Sequence, residues 1–349
     1  MNYKYKGFDF NQTPDPFNFD TPGTKKIFSR LGFALSAYIL ISVGVITLLQ
    51  LIISLVLDDA AANNVFSSDL YVWGGQVLAM YILAFPALHL MTRSVPRKVK
   101  EKKKMDIEEL FMLFFIAQAF AFVGSLISSV ITSFFSIILG REVSGDVTEL
   151  IMDTPIWIVI VVAVIIGPIF EEIIFRRILI DRLSPFGEKL AIFTSAIAFG
   201  VFHGNFDQVV YATALGIILG YVYSTTRDIR YSIGLHVIFN LFGTVPAMLL
   251  SDSLDVIYSL PEETLMNPEA LMEYMPQLMS IYGYSIVQLA FVGLGVYFLV
   301  KAKKQGRFKI SNEVDIRIPK ESLSAVFVNA GVITFAVITV AQFILNLFI

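Results

Sequence analysis

Residues 154–180 read "TPIWIVIVVAVIIGPIFEEIIFRRILI". The first 17 positions carry no charge, and Glu171, Glu172, Arg176 and Arg177 follow within the next seven. A helix needs about 20 mostly apolar residues to cross a hydrocarbon core ~30 Å thick. This run is long enough, provided its charges are tolerated. An ionisable side chain inside a span is costly unless it is paired or faces a wet cavity. The stretch therefore predicts a membrane helix and a functional site on it.

The rest of the chain agrees. Hydrophobic residues make up 56 % of the 349, and charged residues 16 %. A soluble domain carries roughly 25 % charged residues. Mean hydropathy is +0.72. Backbone groups in lipid must be satisfied within their own segment, so the spans are predicted to be helices. The ~10-residue alternating segments of a barrel are not seen. The expected fold is an all-α polytopic membrane protein with about eight to nine transmembrane helices. There is no cysteine, which removes disulfides, thiolate-bound zinc and thiol catalysis together. No secretory signal peptide is read, because the first 30 residues are polar and turn-rich. The lipid bilayer is the expected surrounding, and nothing points to nucleic acid.

Apolar runs fall at 31–57, 70–92, 110–140, 155–180, 188–204, 208–225, 231–251, 277–300 and 323–349. With the N-terminus inside, the inner segments hold every Lys and Arg except Arg141. The positive-inside rule thus supports a cytosolic N-terminus. The outer loops are acidic, at Asp58 and Asp59, at Glu142 to Asp153 and at Asp252 to Glu273. The chain divides into a cytosolic tail (1–30), N-terminal helices (31–140), a core (155–251), and an outer loop with C-terminal helices (252–349). Arg177 and Arg182 read as topology anchors, and His89 as an interfacial histidine.

Three clusters gather in the core. The first is Glu171-Glu172 with Arg176, the second Phe199 with His203, the third His236 with Asn240. Residues four apart share a helix face. Arg176 can therefore neutralise Glu172, while Glu171, turned about 100° away, faces elsewhere. His203 does not match the depth of the others unless the short fifth run is tilted or re-entrant, with "HGNFD" as a tight turn inside the membrane. Peptide hydrolysis needs an activated water, a proton carrier and an oxyanion stabiliser. Glu171 can take the proton, His203 can orient the water or share the base role, and His236 and Asn240 can hold the oxyanion. Alternatively, Glu171, His203 and His236 can ligate zinc or another divalent metal, since two histidines and a carboxylate form a known catalytic set. The residues leave both open. His-Glu-x-x-His, Gly-x-Ser-x-Gly and Gly-x-Gly-Asp motifs are absent. Asn205 reads as the cap of the sixth helix, Phe199 as packing beneath the site, and Gly216 and Gly220 as a close-approach face.

"EEIIFR", "FGVFH" and "HVIFN" occur in that order on successive apolar segments. In this the chain resembles the CAAX-protease and bacteriocin-processing family, also called the Abi family. The resemblance covers about 155–250 and implies a polytopic membrane endopeptidase, with Glu171, Glu172, Arg176, His203, His236 and Asn240 at the motif positions. It implies a peptide or protein substrate, prenylated or membrane-associated, and bacteriocin processing or resistance in bacteria. Both a metal-dependent and a metal-free glutamate mechanism are attached to the family. The short His203-to-His236 spacing resembles the bacterial branch, and so implies a bacterial cytoplasmic membrane. The alternative is a non-catalytic scaffold, or an immunity or regulatory protein, that keeps the same fold.

Overall fold

In the computed structural model each of the nine apolar runs contains a helix. The structure describes residues 4–5, 8–9, 21–98, 100–141, 143, 150–312 and 314–348. The helices are α1 Thr21–Val56, α2 Leu70–Thr92, α3 Ile107–Leu139, α4 Ile156–Phe186, α5 Glu188–Phe202, α6 Phe206–Thr226, α7 Ile229–Tyr258, α8 Met275–Lys304 and α9 Ala330–Asn346. A two-residue antiparallel pair, Lys4–Tyr5 with Phe8–Asp9, is the only strand pairing among the described residues. The fold is all-α and polytopic, as expected. Most of the acidic 142–153 segment and of the first 20 residues lies outside the described residues.

Length corrects the number of crossings. Among the described residues seven helices are long and apolar enough to cross a membrane. The 15 residues of α5 reach only ~22 Å at ~1.5 Å each, short of a ~30 Å core. The last run does not begin as one helix at 323: it breaks after Phe327, and Asn329 then caps α9. In the other direction α1 starts at Thr21, well before the apolar run that predicted it.

Seams of small residues set the packing. α6 lies between α5 and α3. A Cβ at Gly216 would stand 3.0 Å from the Ala196 Cα, and one at Gly220 3.1 Å from the Ile192 Cγ2. The close-approach face read from those two glycines is therefore where α5 and α6 touch. α1 and α9 cross at Gly32 and Gly331, where a Cβ at Gly331 would stand 2.8 Å from the Ser29 Cα. Large apolar side chains such as Leu48, Leu51, Val130, Ile137, Ile286 and Leu289 point outward, as a lipid-facing surface requires.

The basic segments meet at one end of the bundle. Arg182 is buried and donates to the Thr92 carbonyl from Nε (3.1 Å) and Nη2 (3.0 Å). It is a structural staple between α4 and α2, whereas Arg177 is exposed. The Lys98 and Lys103 amides donate to the Asp181 and Thr226 carbonyls, each at 2.7 Å. Arg227 pairs with Asp181 at 3.5 Å and with Glu188, and Lys100 pairs with Glu188 at 2.6 Å. Asp228 caps α7 and binds Arg230 at 2.6 Å; these hydrogen bonds hold its carboxyl down to about 2. Arg141, alone outside this set, donates instead to the Leu347 carbonyl at the far end of α9.

Gly331→Leu forces a side chain into the α1 backbone and should cost about 1–3 kcal/mol or more. Gly44→Leu, whose Cβ meets nothing within 4 Å, should be nearly neutral. Unfolding midpoints in detergent check the pair.

Candidate active site

Helix α4 carries the two glutamates on an irregular segment. It is widened into π turns at Ile160–Ile166 and Ile173–Ile180, on either side of an α-helical turn at Gly167–Glu172. Pro168 has no N–H to donate, and a widened turn tolerates the missing bond. π turns of this kind are frequent at functional sites.

Glu172 and Arg176 are both fully buried. Arg176 Nε donates to Glu172 Oε2 at 3.1 Å, and Nη1 to the Ser195 hydroxyl at 3.1 Å. Ser195 in turn donates to the Phe175 carbonyl at 2.5 Å. The guanidinium also lies 5.0 Å from the Phe199 ring centre, within cation–π range. The expected internal neutralisation is thus present, and it ties α4 to α5.

His236 of α7 lies between the glutamates. Its Nδ1 is 3.2 Å from Glu172 Oε1, and its Nε2 is 3.7 Å from Glu171 Oε2. Buried at 2 % exposure, it is oriented by Glu172: a carboxylate only accepts, so Nδ1 carries the proton. Glu171 is the exposed member of the pair, with a quarter of its side chain (24 %) open.

His203 follows the last residue of α5, and α6 begins at Phe206 after a turn through Gly204 at φ 68°. This is the tight turn expected for "HGNFD", and the shortness of α5 brings His203 back to the level of the site. The His203 ring meets Phe199 edge-on at 4.9 Å, and Phe199 also contacts the His236 ring at 5.7 Å. His203 Nδ1 is 2.8 Å from the Phe199 carbonyl. A carbonyl only accepts, so Nδ1 holds the proton and Nε2 presents its lone pair. Asn205 caps α6 by accepting from the Gln208 amide at 2.9 Å, as read from the sequence. Asn240, one turn from His236, donates to the Ala163 carbonyl at 3.3 Å and is half-buried. His89 is exposed and outside the site.

Among the described residues no three His, Asp or Glu side chains converge as a metal-binding group. Glu171 and His236 approach each other, and His203 contacts the Phe199 ring at 4.9 Å. The set expected for zinc does not fit as arranged, and no step below is routed through a metal.

Sequence reading missed Tyr81 of α2. Tyr81 stacks on Phe170 at 4.4 Å. A Cβ at Gly167 would lie 3.5 Å from the Tyr81 hydroxyl and 3.9 Å from Glu171 Oε1, so glycine keeps that space open. A tyrosine inside an apolar run was the only signal in the sequence.

Residues 153–242 match the model of the type II CAAX prenyl endopeptidase Rce1-like family. The matched segment contains all six motif residues and ends two residues past Asn240. The resemblance read from the three motifs holds. The matched family and the similar proteins are membrane peptidases, as the motif resemblance implied. The chain is similar to a putative membrane peptidase, YdiL, of Bacillus subtilis, 29 % identical over 171 residues that cover 47 % of this chain and 68 % of that protein. It is also similar to the membrane-embedded CAAX protease MroQ of Staphylococcus aureus, 27 % identical over 221 residues covering 59 % and 79 % of the two. No solved structure matches the chain.

Removing one partner of a buried ion pair leaves the other charge uncompensated. Arg176→Ala should therefore lower stability by about 3–5 kcal/mol. Arg176→Met with Glu172→Gln should recover part of that loss, as unfolding in a denaturing detergent would show.

Proposed function

We propose that this chain is an intramembrane endopeptidase in which Glu171 activates the attacking water. The observation that supports this most directly is the division of labour on α4: Glu172 is fully buried and paired, while Glu171 is partly open beside His236. Glu171 removes a proton from water as the water oxygen bonds to the scissile carbonyl carbon. His203 Nε2 accepts a hydrogen bond from the same water and fixes its direction. The carbonyl electron pair moves onto oxygen, and that oxyanion accepts hydrogen bonds from the Asn240 amide and from protonated His236 through Nε2. Glu171 then gives its proton to the leaving nitrogen as the C–N bond breaks, and an acid and an amine separate. Glu172 and Arg176 are positioning residues, which act by holding His236 and Phe199 in place. The substrate is a peptide or protein segment that reaches the membrane. The family match and the relative named as a CAAX protease favour the C-terminal segment of a prenylated protein. The basic end of the bundle, by the positive-inside rule, is cytosolic.

The test is cleavage of a fluorogenic peptide set, prenylated peptides included, by protein purified in detergent. Glu171→Gln should lower kcat about 10²–10⁴-fold and Asn240→Ala about 10²–10³-fold, with folding intact. Unchanged cleavage by Glu171→Gln and by His203→Ala would overturn the assignment. A chelator should leave the rate unchanged; loss on chelation, reversed by added zinc, would replace the metal-free scheme.

A further inference from the structure

A groove of about 840 Å³ lies between α1, the end of α2 and the start of α9. On α1 it is lined by Lys26, Arg30, Phe33, Ala37 and Leu40, which fall three or four apart and so share one helix face. Charge on that face is segregated. Lys25, Lys26 and Arg30 stand near the start of the helix. From Phe33 to Leu40 the α1 wall is apolar except for Ser36, whose hydroxyl already donates to the Gly32 carbonyl at 2.9 Å. Arg30 is held in place, because its Nε donates to the Met91 carbonyl of α2 at 2.6 Å. Lys25 and Lys26 are exposed. Among the described residues no carboxylate lines the groove or pairs with these three cations. Elsewhere at the basic end the opposite holds: Lys98, Lys100, Arg227 and Arg230 each meet an Asp or Glu.

We propose that this groove binds one anionic phospholipid, with its phosphate at Lys25, Lys26 and Arg30 and an acyl chain along Phe33, Ala37 and Leu40. Charge complementarity decides the occupant. Three cations without a carboxylate among them attract an anion at the membrane surface, and the rest of the wall is almost wholly apolar. An anion carrying a long hydrocarbon chain uses both parts. A free phosphate would leave the apolar part empty, and a peptide backbone would find few polar partners there. The length agrees. From Arg30 to Leu40 α1 rises ~15 Å at ~1.5 Å per residue, half of a ~30 Å hydrocarbon core and so the depth of one leaflet. The start of α9 adds to the attraction. Its Gly331 amide donates to the Ser29 hydroxyl at 3.1 Å, which places the positive end of that helix at the level of the cations. The bound lipid bridges α1, α2 and α9, and the assignment is independent of the peptidase reading.

The test is a titration of the detergent-purified protein with dioleoyl phosphatidylglycerol or dioleoyl phosphatidylcholine, with retained lipid read by native mass spectrometry. Phosphatidylglycerol should bind about tenfold tighter than the zwitterionic lipid and raise Tm. Lys25→Gln with Lys26→Gln should weaken phosphatidylglycerol binding about 30-fold and leave phosphatidylcholine binding unchanged. Lys303→Gln with Lys304→Gln removes the same charge at the exposed end of α8 and should change neither. An equal loss in the two double variants would show general attraction to a basic flank and overturn the site. Ala37→Leu narrows the apolar part and should weaken phosphatidylglycerol binding about tenfold, with the Tm of the lipid-free protein unchanged. Equal affinity for the two lipids, or full binding by Ala37→Leu, overturns the proposal. So does competition by glycerol phosphate at the concentration of the lipid, which would make this a phosphate site alone.

Discussion

The ion pair between Glu172 and Arg176 is the constraint on which the site depends. Both side chains are fully buried, where an unpaired charge costs several kcal/mol. Each group also engages a neighbour on another helix. Arg176 reaches Ser195 on α5 and lies over Phe199, and Glu172 fixes His236 on α7. One pair of charges thus joins α4, α5 and α7 and sets the rotation of α4. Glu171, the adjacent residue, is left partly open near Tyr81.

The second constraint is how closely the helices approach. Lipid gives no hydrophobic drive for helix association, so small residues at contacts carry much of it through close packing. Gly216 and Gly220 bring α6 against α5, and a Cβ at Gly200 would meet Thr213. A helix of 15 residues cannot reach the far side of the bilayer, so α5 turns back through Gly204 and Asn205. Its end, carrying His203, comes to rest beside Phe199 within the bundle. The opposite end of α5 is held by Glu188, which is bound by Lys100 and Arg227. A charged platform at the basic end and glycine seams in the middle together fix where His203 lies.

Much of this was legible in the residues. Apolar runs marked the helices because backbone hydrogen bonding in lipid leaves little alternative. The i,i+4 spacing of Glu172 and Arg176 announced their pair, and the adjacency of Glu171 announced that it would point elsewhere. Asn205 was legible as a cap from its side chain and position. Three features were not legible. The burial of Arg182 depends on the Thr92 carbonyl at the end of another helix. Tyr81, which lies beside Glu171, comes from α2, and nothing local distinguishes it from a packing residue. The convergence of the histidines was illegible for the same reason, since it depends on helix rotation.

The sequence by itself determined the membrane class, the helical segments, the segregation of basic charge and the motif residues, because these follow from hydropathy, local hydrogen bonding and spacing along single helices. The tertiary structure alone decided the number of helices able to cross, the place of His203 and the orientation of His236 between two carboxylates. Those are distances between side chains on different helices, and they are set by packing at glycine seams and by the pairing that a buried charge demands.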